Sequence, residues 1–225
     1  MKPQQRAEWE AIQRQKLQQL WIPATGEGFL PQSQSLICTL DVQYFGQQAA
    51  CAAQVQRLNG EELGIFTAVY PAEVPYYPSF FAFREGPILC QHIAAAAAHF
   101  NAHFDLCLID GHGIAHPLKM GVATWVGIEL GIPTVGCAKD SLLPYAGELG
   151  IERGCNLPIY LEQEQVGWAL RSDKSIKPIF VSPGQGLSLS ASLKVVEWVL
   201  GEFRIPEPLR KADQAVRRLA ESLEK

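Results

Sequence analysis

An aspartate and two histidines share one glycine-rich stretch, Asp110-Gly111-His112-Gly113-Ile114-Ala115-His116-Pro117. A carboxylate with an imidazole beside it can hold a metal ion and move protons. The stretch follows the apolar run Leu106–Ile109, read as a buried strand. It precedes an apolar-periodic segment opened by Pro117, read as the start of a helix. In open α/β sheets, sites form in the crevice beyond the carboxyl ends of strands.

Two further acids fall at predicted element ends. Asp41 comes late in a strand predicted over Leu36–Phe45, and Glu85 follows Phe83-Arg84 at the opening of a helix. Singly, Glu85 reads as a charge favoured by a helix N-terminus, and Asp41 as a solvated strand end. If the strands carrying Asp41 and Asp110 are neighbours, the acids converge. Such clusters bind divalent ions that hold a phosphodiester and activate water. Carboxylate oxygens favour Mg²⁺ or Mn²⁺; His112 and His116 without a cysteine partner argue weakly for zinc. Lys139 ends the run Val135–Lys139 and serves either as a solvated end or as a phosphate contact. Pro75-Tyr76-Tyr77-Pro78 is a stiff loop presenting two aromatics, either a plug on the core or a wedge that stacks on bases.

The elements that must position these residues read as follows. A helix is predicted over Gln5–Trp21 and a strand meander over Leu36–Phe45, Ala49–Leu58 and Glu62–Val69, with Asn59-Gly60 as a hairpin turn. A helix near Gly86-Pro87 runs through the alanine tract to Phe100. Leu106–Asp110 is a strand, Leu118–Leu130 a helix and Pro133–Ala138 a strand. Val166–Arg171 and Pro178–Val181 read as a smaller strand pair, Ser188–Phe203 as a helix, and Arg204–Pro208 as a linker to a charged helix. The order predicts an α/β fold, a mixed sheet with helices on both faces. Residues 1–225 are expected to form one domain, with an N-terminal helix and linker over 1–30 and a helical tail over 205–225.

The chain has 225 residues, 48% of them hydrophobic, and a formal net charge of −4. That sign is wrong for a generic nucleic-acid binder, although carboxylates that bind metal inflate the acidic count. The six cysteines form no Cys-x-x-Cys pair and read as reduced, buried thiols. With no signal peptide and no apolar run of ~20 residues, a cytoplasmic location without membrane contact is expected.

The chain resembles the endonuclease V family. The matching stretches are Leu40-Asp41-Val42, Pro75–Pro78, Phe83–Pro87, Asp110–Pro117, Gly131–Gly136 with Ala138-Lys139, Pro178–Gly184 and Arg204–Pro208. The resemblance implies a ribonuclease-H-like fold and a Mg²⁺-dependent endonuclease, with Mn²⁺ as a substitute. Its expected partner is DNA containing deaminated bases, chiefly hypoxanthine, cut at the second phosphodiester 3′ to the lesion to leave 3′-hydroxyl and 5′-phosphate ends. By the same resemblance Asp41, Glu85 and Asp110 hold the metal, His116 and Lys139 complete the catalytic set, and Tyr76 is the wedge. Arg84 and Lys119 are expected nucleic-acid contacts, and Gly111, Gly113 and Gly136 the backbone lining of a pocket for the flipped base. A monomer is expected.

The chain departs from the family pattern at Ser79 (usually glycine), Leu118, Trp125 (usually histidine), Asp140 and Gln185 (commonly histidine). These changes thin the expected basic face. Inosine-containing RNA as the substrate, a looser single-strand nuclease, a non-catalytic binder and an unrelated metal-dependent phosphomonoesterase are the alternatives. The last would not need the proline-flanked aromatic loop.

Overall fold

The computed structural model describes residues 2–224. Its centre is an 8-stranded sheet of order β3-β2-β1-β4-β5-β8-β7-β6. β1 (Leu36–Phe45), β2 (Gln48–Arg57) and β3 (Glu62–Pro71) form the expected antiparallel meander. Gly60, with φ +93°, makes the predicted turn between β2 and β3, in a backbone region that glycine enters freely. β4 (Leu106–Asp110) runs parallel to β1 and β5 (Thr134–Ala138) parallel to β4. The carboxyl ends of β1, β4 and β5 therefore share one edge. Leu40 pairs with Ile109 across β1 and β4, so the next residues, Asp41 and Asp110, emerge side by side.

Helices cover both faces, as the element order predicts. α2 (Phe81–Phe100) and α3 (Val122–Leu130) close one face over Leu40, Cys107 and Ile109 through Leu89, Ile93 and Val126. α4 (Leu189–Trp198) closes the other over Ile37, Leu108, Val135 and Val181 through Val195 and Val196. α5 (Glu207–Leu223) lies beside it on a seam of small residues, Ala50 and Ala52 against Ala212 and Ala215. All six cysteines are free thiols. Among the described residues, no helix is long and apolar enough to cross a membrane.

Several boundaries differ from the sequence reading. α2 opens at Phe81, so Gly86-Pro87 lies inside it and does not start it. Pro87 stands in the second turn, so the helix forgoes the backbone bond its amide would have made to the Phe83 carbonyl. Glu85 is accordingly no first-turn surface charge but a buried helix residue. α3 opens at Val122, not near Pro117. Residues 117–121 instead fold back on the Asp110 turn, where Gly121 N–H donates to the Gly113 carbonyl at 3.1 Å and Ala123 N–H to the His112 carbonyl at 3.0 Å. β7 (Glu164–Leu170) and β8 (Ile179–Gln185) are not a separate pair. β8 pairs with β5 and carries β7 and β6 (Asn156–Leu161) into the same sheet, β6 being a strand the sequence reading lacks. α1 (Pro3–Leu17) stops short of Trp21, and α4 short of Phe203.

Candidate active site

Glu85 rises from α2 toward the strand ends carrying Asp41 and Asp110, and is only 5% exposed. The acids feel one another. Burial, then Asp110, pushes the Asp41 carboxyl up to about 7, against a pull from Lys139. Glu85 is raised as well, by burial first and then by Asp41 and Asp110. Its Oε2 atom is buried and has no hydrogen-bond partner among the described residues. Lys139 Nζ donates to Asp110 Oδ2 at 2.6 Å and lies 3.9 Å from Asp213 Oδ1. Burial pulls the Lys139 ammonium down, but Asp110, Asp41 and Asp213 outweigh it, and the net shift is upward.

Asp213 is absent from the sequence reading. It sits on α5, far along the chain, and also pairs with Arg217 at 3.0 Å, the ordinary partner of a surface helix acid. Only the packing of α5 against β1 and β2 brings it to Lys139.

Among the described residues, no three His, Cys, Asp or Glu side chains stand in metal-ligand geometry, and Asp110 is turned onto Lys139. The donor set nevertheless fits a hard divalent cation. A buried carboxylate oxygen without a partner, beside two more acids, is costly to ionise unless a cation compensates it. Carboxylate oxygens are what Mg²⁺ and Mn²⁺ take.

Beside the acids lies a cavity of about 350 Å³ lined by Tyr76, Phe81, Gly111, His112, His116, Val122, Lys139 and Leu142, among others. That size falls in the range of small-molecule sites. His116 Nδ1 accepts the Leu118 N–H at 3.1 Å. The neutral ring therefore carries its proton on Nε2, an assignment that follows from the hydrogen-bond network. Burial, then His112, lowers the His116 pKa to about 4. At neutral pH His116 is thus a hydrogen-bond donor in the cavity wall. Tyr76 stands at the rim, 60% exposed, with its ring edge-on to Phe81 at 5.7 Å. It is no plug on the core; Phe80 is the buried aromatic of this turn, and the half-buried Tyr77 meets Trp9 edge-on. Leu142, 53% exposed on the same rim, was not singled out from the sequence.

The three glycines expected to line the pocket divide. Gly111 lines the cavity. A side chain at Gly113 would meet the Pro183 carbonyl oxygen at 2.1 Å, and one at Gly136 the Gly111 carbonyl oxygen at 2.5 Å. Those two allow the Asp110 turn to seat on its neighbouring strands.

Arg84 lays its guanidinium over the Tyr44 ring at 4.0 Å, beside the acids. Lys119 is held in an ion pair by Glu164. Of the departures from the family pattern, Leu118 is exposed and Asp140 lines the cavity. Trp125 and Gln185 do not face the expected basic surface. Trp125 is buried against Phe83, with Lys16 over its ring at 4.4 Å. Gln185 accepts the Trp21 N–H at 2.8 Å and so ties down the chain that follows α1. Ser79 has φ +69°, a conformation that costs an L-residue about 1 kcal/mol and explains why glycine suits the position.

Residues 25–214 match the family model described as Endonuclease V. The chain belongs to the Endonuclease V family. The matched stretch contains every candidate residue from Asp41 to Asp213 and begins after α1. An Endonuclease V of Geotalea uraniireducens is 40% identical over 149 residues, 66% of this chain and 62% of that protein. The aligned chain thus spans under two thirds of that relative. The crystal structure of an Endonuclease V from Bacillus subtilis superimposes with TM-score 0.87 at 29% identity, covering 100% of this chain and 94% of that one. An Endonuclease V of Ciona intestinalis, solved with a 23mer DNA containing an inosine followed by a ribo-adenosine, gives TM-score 0.85 at 25% identity over 99% and 100% of the two chains. The shared architecture is the expected α/β, ribonuclease-H-like fold.

Proposed function

We propose that this chain is a divalent-metal-dependent endonuclease that recognises hypoxanthine in DNA and cuts the second phosphodiester 3′ to it, leaving 3′-hydroxyl and 5′-phosphate ends. The observation that carries the reading is the placement of an exposed aromatic, Tyr76, and a base-sized cavity directly beside an acid cluster with an unpartnered buried oxygen. Inosine-containing DNA is the ligand of the Ciona relative. Asp41, Glu85 and Asp110 would hold Mg²⁺ or Mn²⁺, which when bound polarises the phosphodiester and lowers the pKa of water. Asp213 sits close enough to tune that charge through Lys139.

The chain's own groups divide the remaining work. Tyr76 stacks where the turned-out base leaves a gap. The cavity takes the base, with the Gly111 backbone close to it. His116 offers its Nε2–H as a hydrogen-bond donor that positions the substrate, its Nδ1 being taken by the Leu118 N–H. Lys139 pairs with Asp110 and steadies the phosphate. Arg84 adds positive charge beside the acids. The enzyme works as a cytoplasmic, single-domain monomer.

The test is cleavage of a duplex with one inosine, beside a matched adenine duplex, in Mg²⁺ and in EDTA. The inosine strand is expected to be cut in Mg²⁺ alone, and Asp110→Ala to abolish cutting with an unchanged circular-dichroism spectrum. Equal cutting of both duplexes, or cutting in EDTA, would refute the proposal.

A further inference from the structure

We infer that α1 is a positioning element for base recognition: Gln13 holds the Ser79 carbonyl and thereby fixes the turn that presents Tyr76. The inference rests on the reading of Tyr76 as the wedge.

α1 precedes the stretch matched by the family model. Its burial is inverted relative to its chemistry. Gln13 is 2% exposed, while its apolar neighbour Ile12 is exposed. Gln13 Nε2 donates to the Ser79 carbonyl at 3.2 Å, and its Oε1 has no partner among the described residues. Burying an amide with one side unsatisfied is unfavourable, so the position is not explained by packing alone. One helical turn earlier, Trp9 stacks on Phe83 at 4.4 Å and meets Tyr77 and Phe80 edge-on, each at 5.7 Å. α1 therefore grips the turn at residues 77, 79, 80 and 83 and leaves Tyr76 free.

The turn needs that grip. Ser79 occupies the left-handed region at φ +69°, which a residue with a side chain resists and glycine does not. The Phe80 N–H closes the turn on the Tyr77 carbonyl at 3.0 Å. If Ser79 relaxes, Tyr77 and Phe80 shift with it, and Tyr76 loses its setting beside Phe81. A wedge held in place before binding loses less freedom when it stacks. The expected signature lies in substrate affinity and selectivity.

Gln13→Leu removes the hydrogen bond and keeps the volume. We expect the Phe80 and Phe83 amides to exchange with solvent at least tenfold faster. Selectivity for inosine over adenine strands should fall three- to tenfold through KM, with the single-turnover rate at saturating duplex within twofold of wild type. Adding Ser79→Gly should restore selectivity, because glycine adopts the turn unaided. Ile12→Ala, on the exposed side of α1, should change neither. If Gln13→Leu does not fold, Gln13→Asn, which keeps the amide but shortens its reach, takes its place. Unchanged amide exchange would overturn the inference whatever Tyr76 does. So would a loss of melting temperature with selectivity intact. Tyr76→Ala is run alongside: if it leaves selectivity intact while Gln13→Leu speeds exchange, the wedge reading falls and the recognition role of Gln13 with it.

Discussion

Glu85 and Asp41 both cost the fold stability at neutral pH while offering the oxygens a cation needs. Both carboxyls are raised in the fold, Asp41 to about 7. An acid whose folded pKa exceeds its unfolded value binds more protons when folded, so its contribution to stability is present at low pH and lost as pH climbs from about 4 to about 7. In EDTA, melting temperature should therefore fall across that window by way of Asp41. Mg²⁺ should raise it at pH 8 and do little at pH 5, because a bound cation requires the deprotonated form. Glu85→Gln should leave or raise the EDTA melting temperature and remove the Mg²⁺ response; calorimetry at the two pH values checks both. At the rim, Tyr76→Ala should cost roughly five- to 160-fold in selectivity, from about 1–3 kcal/mol of stacking per base. Because Tyr76 is 60% exposed, melting temperature should barely move. Unchanged selectivity in a cleavage competition between inosine and adenine strands would remove Tyr76 from recognition.

Among the elements, α5 decides whether the acid cluster is complete. It rests on β2 through Ala50, Ala52, Ala212 and Ala215, a seam of buried alanines. Ala212→Leu should destabilise the fold by about 1–3 kcal/mol from overpacking, a fall of several degrees in melting temperature. It should also blunt the Mg²⁺ response by moving Asp213; thermal unfolding with and without Mg²⁺ measures both. This element also marks the limit of what could be read from sequence. Asp41, Asp110 and Lys139 stood out as candidates because each falls late in or at the end of an apolar run, whereas Glu85 read singly as a helix-start charge and joined them only through the family resemblance. Asp213 did not stand out, since an acid four residues before Arg217 on a charged helix already has a partner. The starts of α2 and α3 were misplaced for a shared reason. Pro87 and Pro117 look like helix openers, while long-range packing of Trp125 over Gly86 and of Gly121 on the Asp110 turn set the true boundaries. Buried Trp125 and tethered Gln185 likewise read as lost basic positions until the packing of α1 and the chain following it gave them structural work.

Across the whole molecule, charge is the unusual feature. The net charge is −4, and Lys119 is neutralised by Glu164. Each phosphate contact adds about 0.9 to the salt slope of binding, so a shallow slope is expected. Leu118→Arg with Asp140→Ser should tighten binding to any strand and steepen that slope, measured by salt titration in Ca²⁺; equal slopes would show that these positions do not face the phosphates. In the proposed function the acid cluster and the neighbouring cavity act together, the cavity choosing the base and the acids cutting at a fixed distance from it. The most direct measurement maps the cut and its ends by mass spectrometry, on strands carrying one inosine in DNA and in RNA form. One cut is expected in DNA, at the second phosphodiester 3′ to the inosine, with 3′-hydroxyl and 5′-phosphate ends, and it should move in step when the inosine is moved. Cuts scattered along the strand, or fixed in place as the inosine moves, would contradict the proposal.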